Sequence, residues 1–353
     1  VLNPSFKQEE IDLLKSQALD GLTYNLKQPS FLVSYVASRY TFGEHPSGGT
    51  PASINALSRP DFVNFHQKNY EPKNAILIFA GDITEQQAEA LARKYFGAWQ
   101  SPKPEGGAGF GAGAGGGTRN QENFARRLLV VDLPNSGQAS VAYAKKITVG
   151  RVDFGGAQKP FSNASYYPAI VLNSVLGGGY SSRLNQEIRI KRGLSYGAGS
   201  NFAWRGSDSG FSARTQTKNE SAAEVAELII AEMKRLTSEQ IAETELVPRK
   251  SVLTGNFGRN LETTGGLAAQ LADLYSFGLP AAELNAYMTK VQSVADKQIR
   301  DFAAANLAHG DLIIVGDYAK FKDDLAKRFP GLPAEVVKAD ELDLSAANLR
   351  RSN

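Results

Sequence analysis

The chain contains no cysteine. Disulfides, thiol nucleophiles and cysteine-ligated zinc are therefore excluded. Histidine is scarce as well: His45, His66 and His309 are the only three, and no two lie within five residues of each other. Each reads as a turn, surface or packing residue. Long apolar runs are missing. The longest are AILIFAG (75–81) and DLIIVGD (311–317), far short of the roughly 20 residues that cross a bilayer. Charge of one sign is missing too. The formal net charge is +3 with the basic residues scattered, which gives no electrostatic footprint for nucleic acid. The opening VLNPSF has no methionine and no signal-like segment. It reads as a trimmed start, with any targeting sequence upstream.

What is present is enough apolar material for sizeable cores, 42% of 353 residues, and enough length for two domains at about 150 residues each. EGGAGFGAGAGGGTRN (105–120) marks the boundary. Its glycines satisfy a G-x-G-x-x-G search, but no apolar strand leads in, no helical pattern follows, and the Lys-Ser/Thr ending of a phosphate loop is absent. It reads as a flexible tether, which divides the chain into 1–104, the linker 105–120, and 121–353.

The two sides of the tether repeat each other. FVNFHQKNYEPKNAILIFAGDITEQQAEALARKYFG (62–97) matches IRDFAAANLAHGDLIIVGDYAKFKDDLAKRFPG (299–331), each predicting helix, turn, buried strand, Gly-Asp turn and helix. Gly81-Asp82 and Gly316-Asp317 are 235 positions apart, and EEIDLLKSQALDGL (9–22) aligns with ETELVPRKSVLTGNF (243–257) at nearly that offset. A shared offset argues for duplication. On this count the first copy lacks its front half, by roughly 100 residues. The second copy predicts strands at 127–133 and 139–147, helices at 164–176 and 182–192, strands at 194–204 and 208–217, and a helix over 221–236 capped by Ser221 with Glu224 three residues on. The fold class is α+β, two homologous domains, each a mostly antiparallel sheet covered by helices, the first N-terminally incomplete.

LGGGYSSRLNQEIRIKRGLSYG (176–197) holds the chemistry. Three glycines allow a sharp turn, Ser181 or Ser182 can cap the next helix, Leu184 and Ile188 face the core, and Gly193 suits the residue after a helix end. Arg189 falls in the last helical turn, where a cation suits the dipole. Tyr196 falls at the start of the outgoing strand. A guanidinium and a phenol directed into one cleft supply donors without a base. They suit an oxyanion or a peptide carbonyl and cannot activate water alone. The competing reading is a surface arginine and a half-buried tyrosine.

GGGYSSRLNQEIRIKRGLSYG closely resembles the second-domain signature of the pitrilysin/insulinase-like zinc peptidases, the inverzincins. VLNPSF, FGEHPSGG (42–49), FHQKNYEPKNAILIFAGDI and the two-domain repeat share that resemblance. It implies that Arg189 and Tyr196 stabilise a tetrahedral intermediate and hold a peptide that is added to a sheet edge beside the metal. The family's H-x-x-E-H, two histidine ligands and a glutamate base on one helix, has no counterpart here and would fall in the missing front segment. The family's third ligand, a glutamate on the helix after NPSF, aligns with Gly21, which has no side chain to offer. Neighbouring Asp20 points about 100° away on the helix. The resemblance is to the bacterial non-zinc-binding subunit that carries the arginine and tyrosine while a partner carries the zinc. It implies no metal and no cofactor in this chain, zinc in an H-x-x-E-H partner subunit, unfolded peptide as substrate, and a periplasmic location, with the cytoplasm as the alternative. Two other readings remain open: a fragment of a self-sufficient zinc peptidase, and a non-enzymatic scaffold subunit of the same fold.

Overall fold

The computed structural model describes residues 1–100, 124–151, 164–206, 208–346 and 348–351. The proposed tether at 105–120 lies outside these residues. The first five helices are α1 (Gln8–Asn25), α2 (Pro29–Tyr40), α3 (Pro51–Ala56), α4 (Arg59–Asn69) and α5 (Glu85–Phe96). Strands β1 (Ala125–Asp132) and β2 (Ala139–Ile147) follow, then helix α6 (Tyr166–Leu176), a π-helical segment Asn185–Ile190, and strands β3 (Ala198–Ala203) and β4 (Ser209–Thr217). The remainder is α7 (Ala222–Ser238), α8 (Glu243–Leu261), α9 (Thr264–Ser276), α10 (Glu283–Ser293), α11 (Asp296–Asn306), β5 (Gly310–Gly316), α12 (Lys322–Arg328) and β6 (Ala334–Lys338).

The chain divides into two compact units. One comprises 1–22, 49–114 and 255–286, and the other 23–48, 115–254 and 287–353. The second unit carries a six-stranded sheet in the order β3-β4-β2-β5-β1-β6. The three pairings from β3 to β5 are antiparallel and the two involving β1 are parallel. LLVV in β1 and LIIV in β5 are apolar without alternation because both sheet faces are covered. Leu128, Val130, Val141, Leu312 and Ile314 join the core formed with α6, α7 and α11. Their strand neighbours Leu129, Val131, Ala142, Ile313 and Val315 are equally buried and point to the other face. There α2 supplies Leu32, Val33 and Val36, each no more than 1% exposed.

Helix α2 falls in the first stretch, 1–104, of the sequence division, yet it packs on the second unit's sheet. Its apolar stripe predicts burial but cannot say against which sheet. The position repeated 235 residues later is α9, which belongs to the first unit. Helix α9 thus falls in the unit to which α2 does not belong. A buried ion cluster fixes the end of α2. Asp311, fully buried, accepts from Arg127 Nε at 2.9 Å and Nη2 at 2.7 Å, and from Arg126 Nη2 at 3.1 Å. Arg127 Nη2 also donates to the Tyr40 carbonyl at 2.6 Å, and its guanidinium lies 3.9 Å from the Tyr40 ring centre.

In the first unit, Lys15 donates to the carbonyl of Asn55 at 3.0 Å and of Leu57 at 2.5 Å, and Arg59 Nε to Phe6 O at 2.9 Å. The buried strand expected at 75–81 is not formed. Residues 75–80 have no strand pairing, and Ile76, Leu77 and Phe79 are exposed. The repeated strand β5 is buried along its whole length between β2 and β1. A strand is made by neighbours that satisfy its amides, and among the described residues of the first unit there is no strand to pair with. No helix of the described residues is long and apolar enough to cross a membrane.

Candidate functional site

Arg189 and Tyr196 are brought together as the spacing predicts. The guanidinium carbon lies 4.9 Å from the Tyr196 ring centre. It lies at the same 4.9 Å from the ring of Tyr180, a residue that spacing did not single out. Arg189 is half-buried, while Tyr180 is 66% and Tyr196 90% exposed. Among the described residues, neither the guanidinium nor either phenol hydroxyl has a hydrogen bond or ion pair. The neighbouring cations are occupied. Lys191 pairs with Glu187, and Arg192 Nη1 lies 2.5 Å from Glu187 Oε2. Burial pushes the Glu187 carboxyl up, but the hydrogen bonds from Lys191 and Arg192 outweigh it and hold its pKa below the ordinary glutamate value. Arg183 is a bidentate partner of Glu245, at 2.9 and 2.7 Å.

The helix predicted over 182–192 is π-helical at Asn185–Ile190. Its wider turn is marked by the Lys191 amide donating to Gln186 O, five residues back, at 2.9 Å. Leu184 and Ile188 are fully buried, as their spacing predicts. A π turn inserts a residue into the helix and is frequent at functional sites. The buried side chain of Asn185 exploits it. Nδ2 donates to the Tyr180 carbonyl, and Oδ1 accepts from the Ala198 amide at 3.3 Å. One amide side chain thereby ties the Tyr180 turn to the strand that follows Tyr196. Neither predicted cap forms. Ser182 Oγ donates to the Gly179 carbonyl, Ser181 Oγ accepts from Arg249 at 2.6 Å, and Ser221 makes no capping hydrogen bond.

Gly193 ends the segment with φ +63°. Its amide donates to Arg189 O at 3.0 Å and the Leu194 amide to Ile188 O at 2.9 Å. The first is the single bond that closes a left-handed helix terminus, and the second reaches six residues back, one more than in the usual pair, after the π turn. Tyr196 is then not in a strand, since β3 begins at Ala198. It stands at the tip of a turn that hydroxyls pin to β4. Ser195 Oγ accepts from the Gly197 amide at 2.8 Å, Thr215 donates to Gly197 O at 2.7 Å, and Thr217 donates to Leu194 O at 2.6 Å. Of the three glycines, Gly177 is the most tightly enclosed; Gly178 is confined too, since a Cβ there would lie 2.9 Å from the Asn173 carbonyl oxygen, and Gly179 is open. A Cβ at Gly177 would meet the Ser200 amide nitrogen at 2.2 Å, because the Gly177 carbonyl accepts from that amide at 3.2 Å. The outer edge of β3 is therefore closed at Ala198 by Asn185 and at Ser200 by Gly177. A peptide cannot add as a further strand along that part of the edge.

Gly21 lies on α1 with open space where its Cβ would be. His66 Nε2 donates to Val1 O at 2.7 Å, and His45 Nδ1 lies 3.1 Å from Pro46 O. Among the described residues no three His, Cys, Asp or Glu side chains are grouped as ligands. These residues do not fit a catalytic zinc.

Residues 56–253, more than half of the chain, match the family described as the peptidase M16 inactive domain. An uncharacterized zinc protease of Mycobacterium leprae is 27% identical over 290 residues, covering 77% of this chain and 58% of that protein. The chain thus spans under two thirds of the length of that relative. A Helicobacter pylori protein named as a non-peptidase homolog is 23% identical over 334 residues, covering 91% and 70%. The crystal structure of a peptidase M16 inactive domain from Pseudomonas fluorescens superposes with a TM-score of 0.74 at 23% identity, covering 89% of this chain and 72% of that one.

Proposed function

The chain belongs to the family of the peptidase M16 inactive domain, and on that premise we propose that it is the non-zinc-binding subunit of a heterodimeric zinc peptidase. In this reading the partner subunit carries H-x-x-E-H and the zinc that supplies the hydrolytic water. Arg189 and Tyr196 act in trans. The guanidinium and the phenol hydroxyl donate to the scissile carbonyl of an unfolded peptide, and more strongly to the oxyanion that it becomes. The observation that carries the reading is the unpaired guanidinium beside an almost fully exposed phenol. Half-exposed donors that no group of the fold accepts are free to meet a ligand. The proposed compartment is the periplasm, which the absence of cysteine and the resemblance to bacterial secreted members support, and fractionation of the source cells tests it.

The decisive experiment mixes the purified chain with the H-x-x-E-H subunit. Neither alone should cleave an unfolded peptide, and the pair should. Arg189→Ala and Tyr196→Phe should each lower that activity by ~10²-fold or more. Full activity in both variants rejects the reading. The fragment alternative requires zinc bound by the longer protein alone, and Gly21 counts against it. The scaffold alternative draws support from the Helicobacter pylori relative's name. It predicts a stable complex in which the two substitutions change nothing.

A further inference from the structure

We propose that Tyr180 is a third substrate-contacting residue, so that the site is a guanidinium with two phenols beside it and receives one acyl oxygen of an extended peptide. This rests on the function proposed above and adds a residue to it.

The two tyrosines are equivalent in every respect that bears on binding. Each ring centre is 4.9 Å from the guanidinium carbon, each ring is mostly exposed, and each hydroxyl is unpartnered among the described residues. Arg189 is the only ring or cation partner that either has there. Tyr180 leans on the Arg189 cation and is otherwise largely open to solvent. Its position is nonetheless fixed. Asn185, 3% exposed, holds its carbonyl, and Gly177 sets the turn that delivers it.

Each ring centre lies 4.9 Å from the guanidinium carbon, within reach of the cation–π attraction that orients the cation. The N–H groups, which lie in the guanidinium plane, are left for a ligand. Three donor-bearing side chains then lie side by side, and the nearby carboxylate of Glu187 is already taken by Lys191 and Arg192. A ligand that matches this set presents lone pairs on an sp² oxygen. A peptide offers that oxygen at every internal carbonyl and at its terminal carboxylate. The closed edge at Ala198 and Ser200 denies the ligand a backbone ladder on β3, so these side chains are the local handles.

The test is calorimetric titration of the chain with a ten-residue, N-acetylated, unstructured peptide, once with an amidated C-terminus and once as the free acid. Tyr180→Phe should weaken binding by roughly 3–10-fold, the loss of one hydrogen bond, with an unchanged thermal midpoint. Tyr180→Ala should weaken it at least as much. Equal affinity for the two peptides identifies an internal carbonyl, whereas preference for the free acid identifies the carboxylate, and either supports the proposal. Unaltered binding by both Tyr180 variants, with Arg189→Gln and Tyr196→Phe weakened, overturns it and leaves the function standing. Weakening by Tyr180→Ala alone rejects the hydroxyl contact. Failure of the unsubstituted chain to bind either peptide overturns the proposal and leaves the in-trans function to the activity assay. Unaltered binding by all four variants overturns both.

Discussion

The Thr215 hydroxyl lies 2.7 Å from Ser195 Oγ, and through that contact strand β4 governs where Tyr196 stands. Tyr196 is at the tip of a turn with no packing of its own beyond Arg189, so its placement is inherited from its neighbours. Thr215→Val keeps the shape of the buried side chain and removes the hydrogen bonds. It should cost about 1 kcal/mol, increase amide exchange at 194–197, and leave β4 protected. Thr215→Ser should restore the wild-type exchange pattern. Hydrogen exchange read by mass spectrometry makes the comparison.

The glycines at 177 and 179 should respond oppositely to the same substitution. A methyl at 177 collides with the Ser200 backbone at 2.2 Å, whereas at 179 nothing lies within 4 Å. Gly177→Ala should destabilise by about 1–3 kcal/mol or more. Gly179→Ala should stay within about 0.5 kcal/mol of the parent. Urea denaturation of both proteins decides it.

Glu187 gives a pH dependence of known sign. Its pKa is lower in the folded chain than in the unfolded one, so the unfolded state binds the proton more readily. Its contribution is fully present above the ordinary glutamate value and is lost as the pH falls through the depressed folded value. The stability difference between the parent and Glu187→Gln should therefore be constant near neutrality and shrink below about pH 4. Denaturation midpoints of both proteins from pH 3 to 7 give the curve, and a difference that grew toward acid would contradict it.

Asp311 is the sole carboxylate between Arg126 and Arg127 among the described residues and has no exposure. Removing it strands two guanidinium groups. Asp311→Ala should cost about 3–5 kcal/mol and loosen the C-terminal end of α2, which Arg127 holds through the Tyr40 carbonyl. Thermal unfolding, with exchange at 36–42, measures both effects.

Periodicity and turn chemistry made much of the second unit legible. Leu184 and Ile188 four apart, Gly193 at a left-handed terminus and the apolar runs of β1 and β5 each have a local physical cause that a sequence displays. What stayed hidden depends on distant partners. The stripe of α2 states that the helix is buried and is silent about which sheet buries it. The π turn is invisible because apolar residues four apart suit a π and an α turn almost equally. The buried Asn185 that bridges Tyr180 and Ala198 there acts through contacts that helical periodicity does not display. Tyr180 was missed for the same reason: it meets Arg189 across a turn and not along a helix face. The stretch 75–80 shows the converse, since a sequence can ask for a strand that only neighbouring strands can grant.

The sealing of β3 beside Arg189 has a mechanical consequence. On the proposed function, a peptide held by Arg189 meets no free amide at Ala198 or Ser200, so its direction and registry would be set by another surface. In the proposed heterodimer the guiding half could then be exchanged, and with it the sequences accepted, while the grip stays the same.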